Sequence, residues 1–135
     1  MIKKLAHIGI AVENLTQGLR VFRDALGLEL KESISVEEMG VAIAFLKIGD
    51  VELELLEPLR PDTPIAKFIA RQGPGIHHIA VEVDNLDQAL LVLERAGIEL
   101  VDKQPRTGAR GRRVAFVSPK STGGVLIELE ESVRS

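Results

Sequence analysis

The feature that most constrains this chain is an internal repeat. His7-Ile8-Gly9-Ile10-Ala11-Val12-Glu13-Asn14-Leu15 is answered 71 residues later by His78-Ile79-Ala80-Val81-Glu82-Val83-Asp84-Asn85-Leu86. Both copies run on through Gln17 or Gln88 and Leu19 or Leu90. They reach Gly27-Leu28-Glu29-Leu30 and Gly97-Ile98-Glu99-Leu100, and close on Val51-Glu52-Leu53-Glu54-Leu55 and Val125-Leu126-Ile127-Glu128-Leu129. Such self-similarity means one supersecondary unit used twice.

The hydrophobic pattern gives the unit its shape. Leu5 to Val12 reads as a strand, and alternation puts His7, Gly9 and Ala11 on one face. Leu15, Leu19, Phe22 and Leu26 then recur at helical spacing, and Gly27 is a natural helix end. Strands are expected over Leu28–Ile34, Val41–Ile48 and Val51–Leu56, with Gly49-Asp50 as the turn between the last two. The second copy repeats the order: a strand over Ile76–Val83, a helix carrying Leu86, Leu90 and Leu93, and strands over Ile98–Asp102, Arg113–Val117 and Val125–Glu130. Between the copies Pro58, Pro61 and Pro64 break regular structure, and Thr63-Pro64 marks the start of a short helix over Ile65–Arg71. The reading is one α+β domain of two paired β-α-β-β-β modules. Module one covers about residues 5–57, a connector about 58–75, and module two about 76–131. Each module leaves a sheet face uncovered, which favours packing the two together around a cleft.

The repeat also carries chemistry. His7 and His78 recur with Glu54 and Glu128 on the late strands, and two imidazoles with two carboxylates suit one divalent metal. A duplicated module also preserves residues for packing alone, and one strand histidine is more often a core or surface residue than a ligand. His77 adjoins His78 but faces the other way on a strand, so His78 is the candidate. Parity separates Glu54 from Leu53 and Leu55. It leaves Glu52 and Glu130 as same-face rivals, against which the repeat alignment favours Glu54 and Glu128.

Composition removes other chemistries. With no cysteine there is no disulfide, thiolate ligand or iron–sulfur ligation. A net charge of −3, no long basic tract, and no Trp or Tyr make nucleic acid an unexpected partner. Met1-Ile2-Lys3-Lys4 leads straight into a strand-like run without an export peptide or membrane span, so a cytoplasmic protein with no membrane partner is expected. Positive charge is concentrated late: Arg106, Arg110, Arg112, Arg113 and Lys120, in a loop loosened by Gly108 and Gly111. Such a cluster is commonly a solvated loop. It is also what a clamp for phosphates needs, and the chain has neither a Walker loop nor a dinucleotide fingerprint to do that work.

Four segments carry a family resemblance: Glu54-Leu55-Leu56-Glu57-Pro58-Leu59, Pro64-Ile65-Ala66-Lys67-Phe68, Gly75-Ile76-His77-His78-Ile79-Ala80, and Pro119-Lys120 followed by Gly124-Val125-Leu126-Ile127-Glu128-Leu129. From about Leu5 to Glu130 the chain resembles the vicinal oxygen chelate (glyoxalase-like) superfamily and, within it, the methylmalonyl-CoA epimerases. That resemblance implies a metal held by His7, His78 and Glu128, with Glu54 at the fourth position, where some epimerases have glutamine. It further implies interconversion of (R)- and (S)-methylmalonyl-CoA, a homodimer, and cobalt as the expected ion, with Zn2+, Mn2+, Ni2+ or Fe2+ as alternatives. The alternative functions are a glyoxalase-type lyase or isomerase and a small-molecule-binding protein of the same fold.

The chain departs from some epimerases at one point. They carry a catalytic glutamate three residues after the glycine matching Gly40, where this chain has Ile43. Glu54 is therefore expected to serve as one acid–base group and Glu128 as the other. Glu37 and Glu38 are rivals should their loop fold inward.

Overall fold

The computed structural model describes residues 1–133. The chain divides into two compact units, one of Met1–Ala6 with the residues from His78 onward, the other of His7–His77. In the His7–His77 unit the strands are β1 (Ile2–Ala11, whose first residues belong to the other unit), β2 (Glu29–Val36), β3 (Val41–Ile48) and β4 (Val51–Pro58), ordered β2-β3-β4-β1. The second unit has β5 (Gly75–Val83, whose first residues belong to the other unit), β6 (Arg106–Thr107), β7 (Arg113–Val117) and β8 (Ile127–Glu131), ordered β5-β8-β7-β6. In each unit the histidine strand pairs in parallel with the glutamate strand, β1 with β4 and β5 with β8, and the remaining pairs are antiparallel. This is the paired-module α+β architecture expected from the repeat.

Alternation gives each sheet two different faces. One face of the first unit presents Ile8, Ile10, Ala44, Leu46, Leu53 and Leu55 to the apolar cluster that receives Leu15, Leu19 and Phe22. The matching face of the second unit presents Val81, Val83, Ala115, Val117 and Leu129 to Leu86, Ala89 and Leu90 of α3 (Leu86–Arg95). Burying several such side chains, at about 1.5–3 kcal/mol each, fixes strand register, because a slip of one residue would turn the apolar set to the other face.

The repeated asparagines and late glutamates are helix caps. Asn14 Oδ1 accepts the Gln17 N–H at 3.1 Å, and Asn85 Oδ1 accepts the Gln88 N–H at 3.0 Å. From the last strand of each unit, Glu57 Oε1 accepts the Leu15 N–H at 2.6 Å, and Glu131 Oε2 accepts the Leu86 N–H at 2.9 Å. Each side-chain cap contributes about 1 kcal/mol. The strand that carries a candidate ligand is thus also tied, three residues on, to the start of the helix packed against its back.

Two local expectations change. The helix expected from Leu15 to Leu26 is α1 (Leu15–Leu19) continued by a π-helical segment, Arg20–Ala25, closed by Leu26 N–H to Val21 O at 2.9 Å. The wider turn shifts the stripe, so Leu26 is 64% exposed and Leu28 joins the core cluster in its place. The strand expected over Ile98–Asp102 is reduced to a bridge between Leu100 and Val117. Asp102 explains the early end: its Oδ2 takes the Phe116 N–H at 2.9 Å, a side-chain bond replacing a ladder bond. The connector does form a helix, α2 (Pro64–Gln72), with Thr63 Oγ1 accepting the Ala66 N–H at 3.2 Å.

Candidate metal centre

The faces opposite the two apolar cores carry the candidate residues. Residues paired across neighbouring strands share a face. In the first unit Glu54 on β4 stands opposite Gly9 on β1 and Phe45 on β3, with His7 two residues from Gly9 along β1. In the second unit Glu128 on β8 stands opposite Ala80 on β5 and Phe116 on β7, with His78 two residues before Ala80. Each half is built alike: a histidine, a small residue that leaves room beside it, a glutamate, and a phenylalanine on the next strand.

Histidine and glutamate meet in both units. His7 Nδ1 lies 2.9 Å from Glu54 Oε2, and His78 Nε2 lies 3.2 Å from Glu128 Oε1. All four residues are buried, between 5% exposed for His7 and 9% for Glu128. The rivals differ from them. Glu130 is held by Arg112 at 3.1 Å, and Glu52, in register with both His7 and Lys47, is only half-buried where Glu54 is buried. His77 packs its ring against Phe68 of α2 at 4.9 Å, edge to face.

Each unit thus offers a buried imidazole beside a buried carboxylate, His7 with Glu54 in one and His78 with Glu128 in the other. Imidazole nitrogen and carboxylate oxygen, without thiolate, are donors that fit a divalent ion of borderline softness. Ile43 lies on the Glu54 face, between Ile34 and Leu56, and is 3% exposed, so an apolar side chain fills that position.

The two phenylalanines were not singled out from the sequence. Their signal was available, since Phe45 and Phe116 are separated by the same 71 residues as His7 and His78. Phe116 sets its ring edge-on to the His78 imidazole, with centroids 5.7 Å apart.

Three of the basic residues are engaged with carboxylates. Arg113 reaches Glu131 at 3.0 Å and Asp87 at 3.1 Å, bonds that raise its pKa above the ordinary arginine value, that to Glu131 most. Arg112 pairs with Glu130 and donates to the Glu131 carbonyl at 3.0 Å. Arg106 pairs with Asp102 at 3.3 Å. Arg110 is exposed, and Lys120, its side chain 81% exposed, lies 4.0 Å from Glu99.

Comparison with known proteins places this geometry in a family. The model of the Glyoxalase/Bleomycin resistance protein/Dioxygenase superfamily matches residues 6–116. The mitochondrial methylmalonyl-CoA epimerase of Homo sapiens is 38% identical over 130 residues, 96% of this chain and 74% of that protein. The ethylmalonyl-CoA/methylmalonyl-CoA epimerase of Cereibacter sphaeroides is 36% identical over 133 residues, 97% of this chain and 99% of that one. A solved methylmalonyl-CoA epimerase in complex with methylmalonyl-CoA and NH4+ superposes with a TM-score of 0.92 at 35% identity, covering 98% of this chain and 96% of that chain. With a shared fold, near-complete coverage and the repeated histidine–glutamate pairs, the chain belongs to the glyoxalase/bleomycin resistance protein/dioxygenase superfamily and, within it, to the methylmalonyl-CoA epimerases.

Proposed function

We propose that this protein is a metal-dependent epimerase that interconverts (R)- and (S)-methylmalonyl-CoA. The observation that carries the reading is the buried histidine–glutamate pair in each unit, His7 with Glu54 and His78 with Glu128, in a chain of the epimerase family. Epimerisation at a carbon alpha to a thioester requires a proton to leave one face and return to the other. The carbanion equivalent is an enolate, with negative charge on the thioester oxygen. A bound divalent ion, with cobalt the first candidate, supplies Lewis-acid stabilisation of that charge. The chain supplies the rest. His7, His78 and Glu128, with Glu54 as a fourth candidate, would hold the ion. Glu54 and Glu128, one from each unit, would move protons at the two faces of the alpha carbon. The apolar surroundings of Glu54, from Phe45 and Leu56 on the neighbouring positions, keep water from competing for those protons. No redox cofactor enters this chemistry.

The test uses the purified protein, metal-loaded, with (R)- or (S)-methylmalonyl-CoA in deuterated water. Conversion to the other isomer with deuterium at the alpha carbon is expected. Failure of both conversion and exchange with a full metal load would overturn the reading and turn attention to a glyoxalase-type reaction or to ligand binding alone.

Some of Arg106, Arg110, Arg112, Arg113 and Lys120 would grip the phosphates of coenzyme A. Lys120, its side chain 81% exposed, fits that role best, whereas Arg112 and Arg113 are held by Glu130, Glu131 and Asp87. A phosphate grip remote from the reacting carbon is largely uniform binding, so neutralising Arg110 and Lys120 together should raise KM with little change in kcat. Unaltered kinetics at both low and high salt would remove the role. A homodimer in a cytoplasmic setting completes the reading. Light scattering over a wide concentration range should return twice the chain mass, and a single-chain mass throughout would exclude it.

A further inference from the structure

We propose that Arg106 is a positioning residue for His78, acting through Phe116, rather than a contact for the coenzyme. The inference rests on the metal reading above and concerns how one ligand is held. A single oxygen, Asp102 Oδ2, accepts the backbone N–H of Phe116 at 2.9 Å and lies 3.3 Å from Arg106 Nε. The carboxylate therefore ties the guanidinium to the strand at the position of Phe116. There Arg106 lies over the aromatic face, its Cζ 5.1 Å from the ring centroid. The same ring meets the His78 imidazole edge-on, at 5.7 Å and an interplanar angle of 79°. The sequence of contacts is Asp102, Arg106, Phe116, His78, and all four residues lie in one unit.

Each contact has a physical purpose. Ala80, two residues beyond His78 on the same face of β5, leaves space in which the imidazole could turn. Phe116, opposite Glu128 on β7, stands against that imidazole. A ligand imidazole must keep its ring plane fixed to aim a nitrogen lone pair, and packing neighbours supply that constraint as outer-shell hydrogen bonds do. Phe116 is only half-buried, so its outer face needs cover. A planar guanidinium covers an aromatic face better than a lysine ammonium, and its charge is attracted by the ring. Because Asp102 already neutralises Arg106, the pair presents little net charge to a phosphate.

The experiment compares Arg106→Met, Arg106→Lys, Phe116→Leu and the Arg106→Met/Phe116→Leu double variant. Each is first shown by circular dichroism to be folded. Co2+ affinity is measured by chelator competition. Kinetics are measured with methylmalonyl-CoA and with methylmalonyl-pantetheine, which keeps the thioester but lacks the nucleotide phosphates. Loss of an edge-to-face contact should weaken Co2+ binding about 3–10-fold in Phe116→Leu, and Arg106→Met should show a smaller loss of the same kind. The double variant should resemble Phe116→Leu alone, since the arginine acts only through the ring. Reduced kcat should appear equally on both thioesters, and Arg106→Lys should recover part of it. A rise in KM confined to the CoA substrate, with Co2+ affinity unchanged in Arg106→Met, would instead make Arg106 a phosphate contact and overturn the proposal. Additive effects of the two substitutions, or no effect of Arg106→Met on Co2+ binding, would overturn it as well. Arg106 is largely exposed, so its variants remain informative should Phe116→Leu fail to fold. Wild-type protein that binds Co2+ but does not epimerise would refute the substrate assignment while leaving the affinity comparison valid.

Discussion

His78→Ala is expected to strip the protein of most of its divalent metal and, with it, of epimerisation. Losing an outer-shell partner of a ligand costs roughly 10–100-fold in metal affinity, so deleting the ligand itself should exceed that range. The control is built into the chain. His77→Ala removes the adjacent imidazole, which faces away and packs on Phe68, and should leave metal content near one per chain. Metal analysis of the two variants after identical loading and dialysis is the measurement. Because His78 is buried against Phe116, unfolding has to be excluded by circular dichroism before metal loss is read as ligand loss. Stoichiometric binding in His78→Ala would show that the ion sits elsewhere. Loss from His77→Ala alone would show that the repeat alignment chose the wrong neighbour.

Strand periodicity alone allowed His77 or His78, Glu52 or Glu54, and Glu128 or Glu130. The repeat favours His78, Glu54 and Glu128, because duplication of a module duplicates register as well as residue type. In the structure His7 meets Glu54, His78 meets Glu128, and Glu130 turns to Arg112. The same duplication marked Asn14 and Asn85, but these serve the fold, as caps. Residue identity at matched positions therefore signals either use, and burial on the face opposite the apolar core separates them.

What escaped the sequence did so for local reasons. Helical spacing does not reveal an extra residue in a turn, so the π-helical segment and the outward turn of Leu26 were invisible. Ile98–Asp102 has strand composition, yet the Asp102 side chain takes the N–H that a ladder would have used. The basic cluster looked uniform as sequence. Only the structure shows that Asp102, Glu130, Glu131 and Asp87 hold three of its arginines, Arg106, Arg112 and Arg113.

Glu54→Gln is the second change with a large expected effect, and it separates holding the metal from moving the proton. Glutamine keeps a carbonyl oxygen near His7, where Glu54 Oε2 now lies at 2.9 Å, but it has no oxygen that can take up a proton at neutral pH. The ligand candidates His7, His78 and Glu128 are untouched by the substitution, so metal content should remain near that of the unmodified protein. Loss of a positioned general base typically costs about 10²–10⁴-fold, and epimerisation should fall by that order. Because Ile43 places only hydrocarbon on this face, no neighbouring carboxylate on β3 replaces the lost one. Glu128 remains, so one stereoisomer should still exchange its alpha proton with deuterated water while conversion to the other isomer stalls. Metal content, racemisation rate and isomer-resolved deuterium uptake, taken on one preparation, decide the matter. Near-normal racemisation with a full metal load would move the base to Glu37 or Glu38, both exposed beyond β2, or to a water held at the ion. Equal loss of exchange from both isomers would mean that Glu54 orients the substrate or His7 rather than serving one face.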